Sequence, residues 1–166
     1  METRTKIAGV VVAALLVAGI AGTTHEKSVN HRVLPSVTSS PSLGPLPNAK
    51  LTPGVVDPAA DTQLICTTTT AARRNTSAAT KAAAYREYGA VHKVPGDFEV
   101  DHLIPLELGG ADVLANLWPE PAPSFHLKDQ LENRLHALVC AGKVPLAVAQ
   151  HQIATDWVGA YRTYLP

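Results

Sequence analysis

The 14 basic and 14 acidic side chains of this 166-residue chain cancel, so it lacks the net positive field that draws a protein to nucleic acid. A phosphate-binding surface would have to be gathered locally, from Arg73, Arg74, Lys81, Arg86, Lys93, Lys128 and Arg134. Ordinary solvated surface charge accounts for the same residues. Cysteine is also scarce: Cys66 and Cys140 are the only two, and neither has a CxxC partner, which weakens a metal-ligating reading of either. No internal repeat is present, and no His-x-x-x-His follows the central motif.

What the chain does contain begins with an export pattern. Arg4 and Lys6 precede an uncharged run over 7–24, dense in apolar residues at 10–17 and followed by the small residues Ala18, Gly19, Ala21 and Gly22. A basic start, apolar middle and small-residue exit is the order of a secretory signal. A single membrane anchor is the alternative, since about 18 uncharged residues lie at the short limit for spanning a bilayer. Residues 1–22 are therefore assigned to a signal peptide or N-terminal anchor. The Pro-, Ser- and Thr-rich stretch 23–60 has little periodicity and reads as a disordered linker. The folded domain is expected over 61–166. Export implies an oxidising compartment, so Cys66 and Cys140 are expected to form a disulfide, which would stabilise the domain by about 4 kcal/mol in the chain-entropy model.

Helical patterns flank the centre of the domain. The Ala-rich segment 76–88 has Asn75 or Thr76 as its expected N-cap and Gly89 as its stop. Over 125–141, Leu127, Leu131, Leu135 and Leu138 share a face, with Ser124 as the expected N-cap. A neighbouring face carries His126, Asp129, Gln130 and Asn133. A third helix is expected over 145–164, where Ala149, Ile153, Trp157 and Ala160 form an apolar stripe.

Between these helices lies EVDHLIPLELGGADVLANLW, residues 99–118. Asp101 and His102 sit among Val100, Leu103 and Ile104, which read as a short strand, and successive strand residues point to opposite faces. Pro105 limits the strand, Gly109 and Gly110 permit a reversal, and Asn116 begins a second extended segment. The chain is thus expected to return Asn116 toward His102.

The ordered set Asp101, His102, Pro105, Gly109, Gly110, Asn116 and Leu117 resembles the HNH nuclease motif. The likeness extends to a group of small, mostly uncharacterised bacterial exported proteins of HNH-like character. It runs through Leu51 to Gly54, Ile65, Cys66, Tyr88, Gly89, Pro119 to Pro121, Lys128, Asp129, Leu131, Glu132, Val139, Cys140, Gly142, Ala149, Gln150, Asp156 and Trp157. The resemblance implies an α+β fold, with a small ββα-metal hairpin-plus-helix core flanked by additional helices and preceded by the signal and linker. It implies that His102 acts as general base, that Asp101 binds one divalent metal ion, and that Asn116 supports the hairpin or orients His102. The ion would be Mg2+, with Mn2+ or Zn2+ as alternatives.

The third motif position departs from the family spelling. His126, on the helix after the hairpin, is the best local candidate for the second metal ligand, with Ser124, Asp129 or Glu132 as substitutes. Arg73, Arg74 and Lys128 are weaker candidates for meeting substrate phosphate. The function implied is that of an exported, metal-dependent nuclease acting on DNA or RNA, with a membrane tether through the N-terminal segment if that segment is retained. Hydrolysis of another phosphate ester, or a catalytically inactive secreted module on the same scaffold, are the competing readings. No protein partner is identifiable.

Overall fold

A computed structural model describes residues 43–90 and 94–165. The export segment, the linker as far as residue 42, and Lys93 lie outside them. Among the described residues the fold is α+β, with four α-helices and one two-stranded antiparallel sheet. None of these helices is long and apolar enough to cross a membrane.

The order is α1 (Thr62–Thr67), α2 (Ala78–Glu87), β1 (Phe98–His102), β2 (Leu117–Pro121), α3 (Ser124–Cys140) and α4 (Leu146–Tyr164). The long connection between the strands carries two 3-10 turns, Leu106–Leu108 and Leu114–Asn116. Asp61 caps α1 by accepting from Leu64 N at 2.7 Å. Ser77, rather than Asn75 or Thr76, caps α2 by accepting from Thr80 N at 3.0 Å. The Thr76 hydroxyl is diverted because it donates to Asp112, to which the Asn75 backbone N–H also donates. Ser124 likewise does not cap α3: it is the first helical residue, and its hydroxyl donates to Pro121 O at 2.6 Å.

The core forms where the apolar faces of α3 and α4 meet, with α1 and the first 3-10 turn closing its ends. Leu131, Leu135 and Val139 of α3 pack with Ala149, Ile153, Trp157 and Ala160 of α4, joined by Ile65, Ile104 and Leu108. Asp156 breaks the α4 backbone (φ −157°, ψ 74°), and its carboxylate accepts from Gly159 N at 2.9 Å, so the helix is capped afresh beyond the kink. A second, smaller cluster places Ala84 of α2 against Val100 and Leu117 on one face of the sheet.

Residues 43–60, expected in the linker, instead belong to the folded part. Leu43 packs on the main core, and Trp157 Nε1 donates to Pro45 O at 3.0 Å. Val56 forms an antiparallel bridge with Gly110, while Ala111 N donates to Val55 O at 2.8 Å and Asp57 N to Gly109 O at 2.9 Å. The boundary expected at 61 therefore moves to include Leu43. Thr52 is buried and its hydroxyl donates to Leu117 O at 2.9 Å, so backbone bridges and isolated side chains hold the segment, and neither leaves a periodicity to read.

Candidate functional site

The strand register fixes the site. Asp101 pairs with Trp118, His102 with Leu117, and Glu99 with Glu120. Alternation sends Asp101 and His102 to opposite faces, as their adjacency in a strand requires. Asp101 meets Lys128 of α3, whereas Val100, on the His102 side, packs on α2.

Asn116 holds the two ends of the connection together. Fully buried, its Oδ1 accepts from Ile104 N at 3.0 Å and Val55 N at 3.2 Å. Its Nδ2 donates to Ile104 O at 2.9 Å and Ala111 O at 3.0 Å. Both donors and both acceptor directions of the amide are thus used. Asn116 also accepts from Leu103 N through its own carbonyl at 2.8 Å, which sets it beside the end of β1. Gly109 adopts φ 75°, and a Cβ on Gly110 would lie 1.7 Å from Ile104 O, so both glycines are required by the turn.

His102 is 2% exposed, and its Nε2 lies 3.0 Å from Asp112 Oδ1. Asp112 was not among the residues singled out in the sequence. Burial alone would raise its pKa, but hydrogen bonds from Thr76, Asn75 and His102 outweigh burial and hold the carboxyl below its ordinary value. An ionised Asp112 can only accept, so Nε2 carries the proton and the lone pair of the neutral ring resides on Nδ1. Burial lowers the His102 pKa, opposed by the hydrogen bond to Asp112 and the charges of Asp101 and Asp112, while Arg74 lowers it further.

On the other face, Lys128 is fully buried. Its Nζ donates to Asp101 Oδ2 at 2.6 Å, to His102 O at 2.7 Å and to Glu132 Oε1. These three bonds use all the ammonium protons. Burial would lower the Lys128 pKa, but Asp101, Glu132 and Glu120 together push it above the ordinary lysine value. Burial would raise Asp101, yet Lys128 holds it below the usual carboxylate range. Burial raises Glu132 well above its ordinary value despite the contact with Lys128. Glu120 is pushed up to about 8, first by burial. Its carboxyl oxygens are buried without a well-formed hydrogen bond, although Asp101 and Ser124 come within interaction range.

The remaining candidates are dispersed. His126 is exposed, stands edge-on to the Phe125 ring at 4.3 Å, and shares no hydrogen bond or ion pair with Asp101. Arg73 turns inward, and its guanidinium donates to Leu106 O at 2.7 Å, so it serves the fold rather than a surface. Lys128, expected to meet substrate, is likewise internal, because two acidic side chains and a carbonyl draw its ammonium beneath the sheet. Arg74 is exposed and near enough to His102 to lower its pKa. Asp112 carried no motif signal, and Glu120 stood in the resemblance without a role, because what each does arises from cross-strand and loop contacts.

Cys66 and Cys140 form the expected disulfide, joining α1 to α3 with their Cα atoms 5.6 Å apart. His136, one turn before Cys140, has Nε2 3.4 Å from Cys140 Sγ and 3.0 Å from Ile65 O. The two sulfurs and a His136 ring nitrogen lie within 4.8 Å of one another.

The fold and site thus define an α+β domain in which a two-stranded sheet carries buried His102, paired with half-buried Asp112 of the connecting loop, on one face and a buried lysine–carboxylate network on the other. No protein-family model, curated protein or solved structure matches this chain.

Proposed function

We propose that this chain is an exported HNH-like hydrolase of DNA or RNA phosphodiesters, in which His102 is the general base. The observation that carries the reading is the His102–Asp112 hydrogen bond at 3.0 Å beside a loop pinned by Asn116. Asp112 holds the ring in the tautomer whose Nδ1 accepts a proton, and burial keeps that ring neutral near pH 7. A water meeting Nδ1 would lose its proton there as its oxygen attacks phosphorus, and the P–O bond to the departing strand end would break, its oxygen taking a proton from solvent. Exposed Arg74 stands near enough to offset charge on the phosphate. The disulfide is compatible with export.

A divalent metal ion, implied by the HNH resemblance, does not fit the side chains as they are arranged. Lys128 already occupies Asp101 Oδ2, and His126 does not join it. Among the described residues, the cluster of three His, Cys, Asp or Glu donors close enough to share an ion is Cys66, His136 and Cys140, on another part of the fold.

The same lysine favours a second reading, a catalytically inactive secreted module. Lys128 neutralises Asp101, and His102 is 2% exposed, which suits structural hydrogen bonding as well as catalysis. Incubation of the full chain with plasmid DNA and with RNA, each with and without chelator, separates the two. Cleavage is expected, reduced roughly 100-fold to 10,000-fold in a folded His102→Ala protein. Cleavage undiminished in that variant removes the mechanism, and no cleavage by the unmutated chain assigns the inactive module.

A further inference from the structure

We propose that in the reduced chain Cys66, Cys140 and His136 form a zinc site, so that metal ties α1 to α3 when the disulfide does not. The inference stands apart from the hydrolase reading.

Its first support is placement. His136 and Cys140 lie one helical turn apart on α3, a spacing that puts two ligands on one face of a helix. Cys66 arrives from α1, with its Cα 5.6 Å from that of Cys140. Two elements therefore supply three donors without a long loop between them.

Its second support is the fit of distance and chemistry. Zn–S bonds of about 2.3 Å and Zn–N bonds of about 2.0 Å at a tetrahedral angle place the ligand atoms roughly 3.5 to 3.8 Å apart. His136 Nε2 is already 3.4 Å from Cys140 Sγ, and all three ligand atoms lie within 4.8 Å. The two sulfurs have to separate, and the donors start within 4.8 Å of one another. Two thiolates and an imidazole suit Zn2+, whose fourth position is left to water because Cys140 is exposed.

The two states exclude each other. A disulfide takes up two electrons and two protons to become two thiols, and Zn2+ then displaces those two protons as it binds both sulfurs. In the oxidised chain the carbonyl of Ile65 can only accept, so His136 Nε2 carries a proton toward it. Metal binding requires the other tautomer, with that proton on Nδ1 and the Ile65 contact given up.

The test uses the full chain, reduced without oxygen by a water-soluble phosphine that is itself converted to the phosphine oxide. Zn2+ is titrated against a chromophoric chelator, with the oxidised chain as control and circular dichroism reporting the fold. One Zn2+ per reduced chain is expected at this site, with none in the oxidised chain or in the C66S/C140S double variant. Affinity should fall at least about tenfold in His136→Ala, and Co2+ in place of Zn2+ should show a sulfur-to-metal absorption band. Equal uptake by oxidised and reduced protein, unchanged affinity in folded His136→Ala, or a reduced chain that takes up no zinc would each overturn the proposal.

Discussion

His102 and Glu120 are two buried titratable groups whose environments pull in opposite directions along the pH axis. Burial lowers the pKa of His102, so its base form should persist below the ordinary value of 6.5. Under the hydrolase reading, the acid limb of the rate profile is expected below pH 6.5. Asp112→Asn removes a contact that raises the His102 pKa and fixes its tautomer. That variant should cut kcat and move the acid limb to still lower pH; a limb that stays in place would deny Asp112 its positioning role. Glu120 behaves oppositely. Unfolded, it releases its proton near 4.5, but folded it keeps it to about 8. The native state therefore binds the extra proton, and stability falls as pH rises between those values, by at most about 1.4 kcal/mol per unit. Lowering of the His102 pKa contributes the reverse trend, since its neutral-form stability is complete above 6.5 and is lost as pH falls. Glu120→Gln keeps the neutral form at every pH. Urea midpoints should therefore decline less for Glu120→Gln than for the parent between pH 5 and 8, and parallel curves would place the proton elsewhere.

Among the elements, α3 has the largest part in both the core and the site. One face carries Leu131, Leu135 and Val139 into the core, and another presents Lys128 and Glu132 beneath the sheet. Leu135 is completely buried, so Leu135→Ala removes packed methyl groups and leaves a void. It should lower unfolding free energy by about 2–5 kcal/mol, measured by urea denaturation. A loss under 1 kcal/mol would mean the α3–α4 interface closes around the void. The leucine spacing was enough to locate this face in advance. Lys128 was legible only as a charge, since nothing in its spacing told a buried ammonium from a solvated one. The cap of α2 shows the same limit: Thr76 has the right chemistry, yet Asp112, 36 residues away, takes its hydroxyl.

For the whole molecule, the stretch over 43–57 is more than a tether. It hydrogen-bonds to Trp157, Gly109, Ala111 and Asn116, which join the helical core to the loop between the strands. A chain beginning at Leu43 should unfold cooperatively and at higher urea than one beginning at Asp61, in which Asn116 Oδ1 loses the Val55 amide and Trp157 loses its acceptor. Equal midpoints for the two would show that the segment rests on the surface without stabilising it.

The sequence by itself determined the helical faces, the Asp101–His102 alternation, the turn at Gly109 and Gly110, and the pairing of the only two cysteines. These depend on local backbone preference, on periodicity, or on there being no other partner. Tertiary structure alone decided that Asp112 meets His102, that Lys128 rather than His126 reaches Asp101, and that Glu120 is sealed in with its proton. Such outcomes turn on which distant side chains share a dry volume. Burial and charge there compensate one another over separations such as the 27 residues between Asp101 and Lys128, beyond the reach of any local pattern.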